Sequence, residues 1–280
     1  MKKLMCAMAA VTAGLCMADV TSANIVGYNK NTLAGGTAYN WVIATFQQIG
    51  KTAENQTVGA FQIPTDQEFQ SGDSVFMEVY GTKGSRIAKY TFVDEKNMVD
   101  HDLTKPGWYP FEPISNWDDV TDDDCVNDTV LPMGTGVVIT SGEADSALTF
   151  AGQVFPAEQP YTLYGNTSYN WLGNSTPVSL YLKDFAIPAD QEFQSGDSIF
   201  MERYGTNGGR IAKYAFVDEK NMVDHDLTTP GWYPFNLISD WEDVTDDDCL
   251  NEKEQIPAGE MTLITSGEAD TTITLPDVSK

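Results

Sequence analysis

Histidine and the common catalytic signatures are scarce in this sequence. Its 280 residues include two histidines, His101 and His225, and no Gly-x-Ser-x-Gly, His-Glu-x-x-His or P-loop pattern. The Asp-Thr-Gly or Asp-Ser-Gly turn of a two-lobed aspartic protease is also missing. A glycosidase carboxylate pair is defined by its separation in space, so this one class stays open. The sequence otherwise predicts a protein that is not an enzyme and has no cofactor.

Basic side chains are also few. The chain has 16 Lys and Arg against 41 Asp and Glu, which gives a net charge of −25 at pH 7. Nucleic acid is therefore excluded as a partner, because its phosphates would be repelled. Anionic membrane surfaces are disfavoured for the same reason. Cations, cationic surfaces and neutral glycans remain as partners, and the acidity itself favours a soluble, monodisperse protein.

Long apolar runs are missing, and no segment reaches the roughly 20 apolar residues that a transmembrane helix needs. The chain begins with Lys2 and Lys3, continues with an uncharged run over residues 4–18, and then reaches the small residues Ser22 and Ala23. This order is typical of a removable export signal. We expect residues 1–23 to be removed and the mature protein to be secreted or held at the cell surface, with the periplasm as the alternative compartment.

Cysteine is rare. Cys6 and Cys16 lie inside the predicted signal, which leaves Cys125 and Cys249 in the mature chain. In an oxidising compartment these two thiols can form one intramolecular disulfide, which requires their α-carbons to be about 4.4–6.8 Å apart. They can instead link neighbouring molecules or remain buried thiols. The sequence leaves these three states open, and a pseudo-twofold arrangement would favour the disulfide.

An internal repeat dominates the rest of the chain. Residues 66–125 match residues 190–249 at 50 of 60 positions without a gap. The heptapeptide ITSGEAD also occurs twice, 125 residues apart, and about 125 residues is a normal size for one domain. The predicted organisation is a signal peptide followed by two repeats, which cover residues 1–23, 24–155 and 156–280.

The repeated segments have the pattern of β-strands. SVFMEVY and RIAKYTFV flank a Gly-rich stretch that is typical of a hairpin turn, and GVVIT and SALTF form a second such pair. Apolar spacing of 3.6 residues nowhere persists for the three turns of an amphipathic helix. We therefore predict an all-β, antiparallel protein of two tandem homologous β-sandwich or barrel-like domains. Trp41 and Trp171, each in Tyr-Asn-Trp, are interpreted as strand core residues.

Three of the differences between the copies that fall inside predicted strands bear on which residues face the solvent. Each position carries an apolar residue in one copy and a polar or smaller residue in the other, which we interpret as exposure to solvent. The three pairs are Val79 and Arg203, Thr91 and Ala215, and Val137 and Thr262. By the same reasoning Val138 and Leu263, on the opposite face of their strands, should belong to the core.

The motif Pro-Gly-Trp-Tyr-Pro-Phe occurs once in each copy and is a candidate ligand site. Its prolines favour a rigid loop over a central strand, and loops often carry function. Trp108 and Tyr109, with Trp232 and Tyr233, could present an aromatic platform to a sugar ring. The alternative is that these large aromatic side chains pack in the core.

The run Thr-Asp-Asp-Asp-Cys also occurs in both copies and is a candidate calcium site. Carboxylate oxygens are the hard ligands that calcium prefers, although the order of residues is not that of an EF-hand loop. The alternative is a solvated acidic loop. The candidate ligands are Asp122, Asp123 and Asp124 in the first copy and Asp246, Asp247 and Asp248 in the second.

Several short motifs resemble those of a loosely defined set of uncharacterised secreted bacterial proteins, whose mature ends read Ala-Asn-Ile-Val-Gly-Tyr. The matching segments are residues 23–28, 150–154, 171–177 and 256–259, together with Gly72-Asp73, Gly196-Asp197, Gly107-Trp108 and Gly231-Trp232. The resemblance covers most of the chain. It implies export and a repeated β module, and it implies no particular activity or catalytic residue.

Export, duplication and acidity together favour a non-enzymatic secreted or cell-surface protein with a structural or adhesive role, whose partner is itself or a cell-surface glycan. The alternative hypothesis is a secreted carbohydrate-binding protein with one aromatic site in each repeat.

Overall fold

The computed structural model describes most of the chain after residue 25. The described residues are 26–36, 38–52, 54–63, 75–81, 84–95, 97–111, 119–131, 134–140, 142, 145–154, 159–166, 168–188, 199–205, 207–219, 222, 226–238, 243–265, 267 and 269–278. The predicted signal peptide, the boundary between residues 155 and 156, and His225 lie outside them. We call residues 26–154 the first unit and residues 159–278 the second unit.

Strands make up nearly all of the regular structure. The described strands are β1 (Val26–Leu33), β2 (Tyr39–Val42), β3 (Phe76–Tyr80), β4 (Arg86–Val93), β5 (Gly107–Pro110), β6 (Val137–Thr140), β7 (Ser146–Gln153), β8 (Gln159–Leu163), β9 (Tyr169–Gly173), β10 (Leu180–Tyr181), β11 (Phe200–Tyr204), β12 (Arg210–Val217), β13 (Gly231–Pro234), β14 (Gln255–Ile256), β15 (Met261–Thr265) and β16 (Thr271–Leu275).

The described helices are short. Residues Phe235–Ile238 form one turn of α-helix, and 3₁₀ turns occur at Val58–Phe61, Asn97–His101, Asp122–Asp124, Leu182–Phe185 and Asp246–Asp248. Among the described residues, none of these helices has the length and apolar character needed to span a bilayer. The all-β prediction is therefore confirmed.

The two units contain five-stranded sheets with the same strand order. The first sheet runs β2-β6-β3-β4-β5 and the second runs β9-β15-β11-β12-β13, with every neighbouring pair antiparallel. Two-stranded sheets accompany them: β1 pairs with β7 in the first unit, and β8 pairs with β16 in the second. The five-stranded sheets are open and do not close into barrels, so the barrel-like alternative is wrong for the described strands.

Each unit has its own hydrophobic core between these layers. Alternating residues of a strand point to opposite faces, so Met77 and Val79 of β3 face inward while Glu78 faces outward. The pair β1–β7 covers this face with apolar side chains such as Leu148 and Phe150. The second unit repeats the arrangement, with Met201 of β11 packed under Ile273 and Leu275 of β16.

The predicted exposure of the three substituted strand positions is wrong. Val79, Thr91, Val137, Ala215 and Thr262 are all buried, and the Arg203 side chain is 15% exposed. Burial is tolerated because most of the polar replacements find partners: Thr262 Oγ1 donates to the Leu172 carbonyl at 2.6 Å, and Arg203 pairs with Glu260. The predicted core positions Val138 and Leu263 are confirmed.

The Thr91 hydroxyl is a buried group without a hydrogen-bond partner. An unsatisfied buried polar group costs about 1–3 kcal/mol, and the equivalent Ala215 is apolar. We expect Thr91→Val to raise the free energy of unfolding by about 1 kcal/mol, which corresponds to a rise of about 2–4 °C in Tm. Differential scanning calorimetry measures this shift.

Thr262→Val is the matched control, because its hydroxyl is hydrogen-bonded and Val137 occupies the equivalent place in the first unit. This variant should lower Tm. A loss of stability in Thr91→Val would show that the hydroxyl has a partner.

Candidate functional site

The four candidate platform aromatics are core residues. Trp108, Tyr109, Trp232 and Tyr233 each have 0% exposed surface, so the sugar-platform interpretation is wrong. Neighbouring residues on a strand point to opposite faces: Trp108 packs in the main core, whereas Tyr109 packs in a small cluster with Val93, Leu103 and Val120. Both faces of β5 are therefore covered, and an edge strand that includes proline still contributes to the core.

The polar atoms of these aromatics are hydrogen-bonded inside the protein. Trp108 Nε1 donates to the Phe61 carbonyl at 2.9 Å, and Tyr109 Oη donates to the Lys105 carbonyl at 2.7 Å. The second unit repeats both bonds at 3.2 and 2.7 Å. Burial raises the pKa of the Tyr109 hydroxyl well above its ordinary value. These contacts serve folding and leave no polar group for a ligand.

Sequence analysis missed an asparagine that positions this motif. Asn127 Oδ1 accepts the Trp108 N–H at 3.0 Å, and Asn127 Nδ2 donates to the Pro106 carbonyl at 3.2 Å. Gly107 has φ +152°, and a Cβ there would lie 2.3 Å from Asn127 Nδ2. The Gly in Pro-Gly-Trp is therefore required by the close approach of this amide. The occurrence of the same residue as Asn251 in the second copy was the sequence feature that could have identified Asn127.

The acidic runs form 3₁₀ turns whose carboxylates hold the local backbone. Asp122 Oδ1 accepts the backbone N–H groups of Thr104 and Lys105 at 2.8 and 3.1 Å, and its other oxygen accepts the Thr104 hydroxyl. Asp124 Oδ2 accepts the N–H and hydroxyl of Thr121, both at 2.9 Å. The hydrogen bonds from Thr104 hold the pKa of Asp122 below its ordinary value.

The second unit has the same arrangement, so the calcium interpretation is wrong for both turns. Asp246 accepts bonds from Thr228 and Thr229, and Asp248 accepts bonds from Thr245. The carboxylates of each turn are directed at different donors and do not converge on one point. In the described part of the chain, no group of three His, Cys, Asp or Glu side chains is arranged to hold a metal ion. Asp123 and Asp247 are exposed and complete the two turns.

The two cysteines are free thiols, and the interpretation of an intramolecular disulfide is wrong for this structure. Each thiol packs in the small cluster of its own unit. Cys249 is buried with Leu227, Tyr233 and Val244, and Cys125 packs half-buried against the equivalent cluster around Tyr109. The equivalent loops therefore do not meet at an axis between the units.

An aromatic cluster joins the two units. The rings of Trp41 and Trp171 stack with centroids 4.8 Å apart and an interplanar angle of 15°. Tyr204 lies 5.1 Å from Trp41, and Tyr80 lies 5.2 Å from Trp171. Trp41 and Tyr80 belong to the first unit and their counterparts to the second, so the distances report a near-twofold relation. We call these four residues the aromatic joint.

Glycine allows the units to approach closely beside the aromatic joint. Gly84 has φ +76° and Gly208 has φ +73°, a backbone conformation that favours glycine. A Cβ on Gly84 would lie 2.8 Å from Cβ of Tyr169, and a Cβ on Gly208 would lie 3.2 Å from Cδ2 of Tyr39. Each tyrosine therefore covers the hairpin turn of the opposite unit.

Two clefts lie beside the joint, one on each side. The first cleft has a volume of about 330 Å³ and takes Tyr80 and Ile87 from the first unit and Tyr161 and Trp171 from the second. The second cleft has a volume of about 430 Å³. The second unit supplies Tyr204 and Ile211 to the second cleft, and the first unit supplies Asn31 and Trp41. These residues are equivalent to the four named for the first cleft. Both volumes fall in the range of small-molecule sites, about 300–1,000 Å³.

Three cleft tyrosines, Tyr80, Tyr161 and Tyr204, have hydroxyls that are neutral at physiological pH. Burial, followed by the hydrogen bond to Glu78, raises the pKa of Tyr80 to about 12, and Tyr204 has the same environment beside Glu202. Burial also raises the pKa of Tyr161 to about 12. Tyr80 Oη donates to Glu78 Oε2 at 3.0 Å, so its oxygen keeps the ability to accept a hydrogen bond.

The two clefts differ in charge. Glu260 lines the second cleft where Thr135 lines the first. The Glu260 carboxylate is paired with the Arg203 guanidinium through Nε–Oε1 at 2.5 Å and Nη2–Oε2 at 3.0 Å. Such bidentate geometry gives strong charge-assisted hydrogen bonds. The first unit carries Val79 and Thr135 at these two places and has no such charged pair there.

Comparisons with known proteins give no family for this chain. No family model and no curated protein matches it. Among solved structures, it aligns with the major capsid protein P2 from Bacteriophage PM2 at 11% sequence identity, over 89% of this chain and 96% of that chain, with a TM-score of 0.15. A TM-score this low does not indicate a shared fold.

The acidic turns give a pH-dependent prediction. We expect the double variant Asp122→Ala and Asp246→Ala to lower Tm at pH 7, because the backbone N–H groups of two loops lose their acceptors. The pKa of each carboxyl is lowered in the folded state, so its stabilisation is complete above the ordinary value of about 3.9. The stabilisation is lost as pH falls below that value, and the difference in Tm from wild type should shrink there.

The matched control for this prediction is Asp123→Ala with Asp247→Ala, which changes the exposed middle residue of each turn and should leave Tm unchanged. Calcium should not change the Tm of the wild-type protein. A rise in Tm with calcium that the Asp122 and Asp246 variant abolishes would contradict the structural role assigned here.

The cysteine assignment gives a second prediction. A protein of residues 24–280, unfolded and prepared without reductant, should react with two equivalents of Ellman's reagent per chain. In the folded protein Cys125 should react before Cys249, because Cys249 is buried. A count near zero would contradict the free-thiol state, and a Cys249→Ser variant that dimerises through Cys125 would indicate an intermolecular bond in the wild type.

Proposed function

We propose that the chain is an exported, non-enzymatic surface protein with an adhesive or structural role. The aromatic joint is the main support for this proposal, because it holds the equivalent surfaces of the two units at a fixed distance from each other. Two equivalent surfaces held together favour attachment, since the second contact forms at a high effective concentration once the first is made. The net charge of −25 is compatible with neutral or cationic partners.

The finer description of the architecture belongs to the same proposal. We propose that the units are two tandem homologous β-sandwich domains that arose by internal duplication. The common strand order and the separate hydrophobic cores support this description, as do the 50 identical residues in 60 aligned positions. Export through residues 1–23 rests on the order of charged, apolar and small residues there.

Adhesion has more support than a polymeric coat. The carboxylates that could bridge chains through calcium instead accept hydrogen bonds from the backbone of their own unit. Carbohydrate binding is the second candidate function. It is supported at a different place from the Pro-Gly-Trp-Tyr-Pro-Phe motif, because the accessible aromatic surface lies in the two clefts.

Attachment can be tested with the whole protein. Beads coated with the exported, processed protein should adhere to bacterial cells or to their isolated envelopes, whereas beads coated with an unrelated protein of similar net charge should not. Light scattering with and without calcium measures self-association in the same samples. A protein that neither adheres nor self-associates would contradict the proposed function. Periodate treatment of the target cells separates glycan from protein receptors.

A further inference from the structure

We propose that the two clefts beside the aromatic joint bind a neutral saccharide, one molecule in each cleft. This inference rests on the proposed adhesive function and names the ligand class of its surface. The first argument is the repetition of the site. Tyr80, Ile87 and Trp171 of the first cleft have identical counterparts in Tyr204, Ile211 and Trp41 of the second.

The second argument is the charge of the lining. None of the described residues that line the first cleft carries a charge, although the chain has a net charge of −25. In the second cleft, the Glu260 carboxylate is neutralised by Arg203, and Lys30 is an exposed side chain. A cationic ligand would find a far stronger field elsewhere on this surface, and an anionic ligand would be repelled. The uncharged lining of the first cleft therefore fits a neutral molecule, and the second cleft differs from it by the positive charge of Lys30.

The third argument is the mixture of apolar and polar groups. Ile87 and Ile211 are 65% and 61% exposed beside the clefts, and they offer apolar contact to the C–H face of a sugar. The aromatic rings of Tyr80 and Trp171 add a further apolar wall in the first cleft. Tyr80 Oη is a neutral hydroxyl that donates to Glu78 and can accept a hydrogen bond from a sugar hydroxyl, whereas Tyr161 Oη is already hydrogen-bonded to Ser175 Oγ at 2.7 Å. Apolar surface with a few placed polar groups is typical of small-molecule sites.

The experiment titrates the whole processed protein with cellotriose, maltotriose and chitotriose by isothermal calorimetry. At least one trisaccharide should bind with two molecules per chain. Ile87→Glu should weaken binding in the first cleft by about tenfold or more, because it removes an apolar contact and places a hydrated carboxylate at the entrance. Ile211→Glu should do the same in the second cleft, and the double variant should lose both.

Val99→Glu is the matched control. Val99 is 67% exposed and lies on the 3₁₀ turn Asn97–His101, outside both clefts, so the same charge is added without a change in binding. Tyr80→Phe keeps the ring and removes the hydroxyl, and it should weaken binding in the first cleft; the lost hydrogen bond to Glu78 should also lower Tm slightly. Thermal unfolding of every variant shows whether a loss of binding reflects a loss of folding.

Three outcomes would overturn the inference. The inference fails if no trisaccharide binds at millimolar concentration, if binding is the same in the Ile87→Glu and Ile211→Glu double variant, or if binding becomes tighter in that variant. The outcome is separable from the proposed function. If no trisaccharide binds but beads coated with the wild-type protein still adhere to cells, the saccharide inference fails and the proposed adhesive function stands.

Discussion

The stacked pair of Trp41 and Trp171 is the contact on which the arrangement of the two units depends. Each unit has its own core and its own five-stranded sheet, so neither needs the other to bury its apolar residues. The aromatic joint adds an interface between them, supported by a backbone hydrogen bond from Ile43 N to the Gly259 carbonyl at 3.1 Å. Offset-stacked rings contribute about 0.5–1.5 kcal/mol beyond their buried area. Both clefts include a ring of this stacked pair in their lining, Trp171 in the first and Trp41 in the second.

The second unit shows how a buried strand position accepts a charge. At the place of Val79, Arg203 lies on the core face of β11, opposite Thr262. Its guanidinium is stabilised there by Glu260 and by Tyr214 Oη at 3.4 Å. Burial disfavours the charged form of Arg203, but the hydrogen bonds to Glu260 outweigh it and raise the pKa above its ordinary value. The changes at 203, 260 and 262 therefore form one linked set, and the first unit carries apolar or neutral residues at all three places.

Local patterns predicted the strands well, and contacts between distant segments account for the errors. Alternation along SVFMEVY and RIAKYTFV identified β3, β4 and their counterparts, because side-chain direction on a strand depends on neighbours in sequence. The burial of Trp108 depends on Phe61, 47 residues away, and the role of Asp122 depends on Thr104, 18 residues away. Neither partner is visible in a local pattern. The substituted positions were misread because a polar replacement was taken as exposed, without a search for its partner.

The same limit explains why the candidate site moved from one set of aromatics to another. Sequence reasoning favoured Trp108 and Trp232 because they lie between prolines in a repeated motif, whereas Trp41 and Trp171 were interpreted as core. Repetition within one chain marks residues that both copies need. A residue can be needed in both copies for its place in the core as well as for its place on a functional surface. Only the relative placement of the units distinguishes a repeated core residue from a repeated surface residue. Trp171 lies beside its counterpart Trp41, so both belong to an interface that requires the two units to be in contact. A ligand surface built at that interface depends on both copies at once. This dependence gives a physical reason for one chain to contain two copies of the repeat.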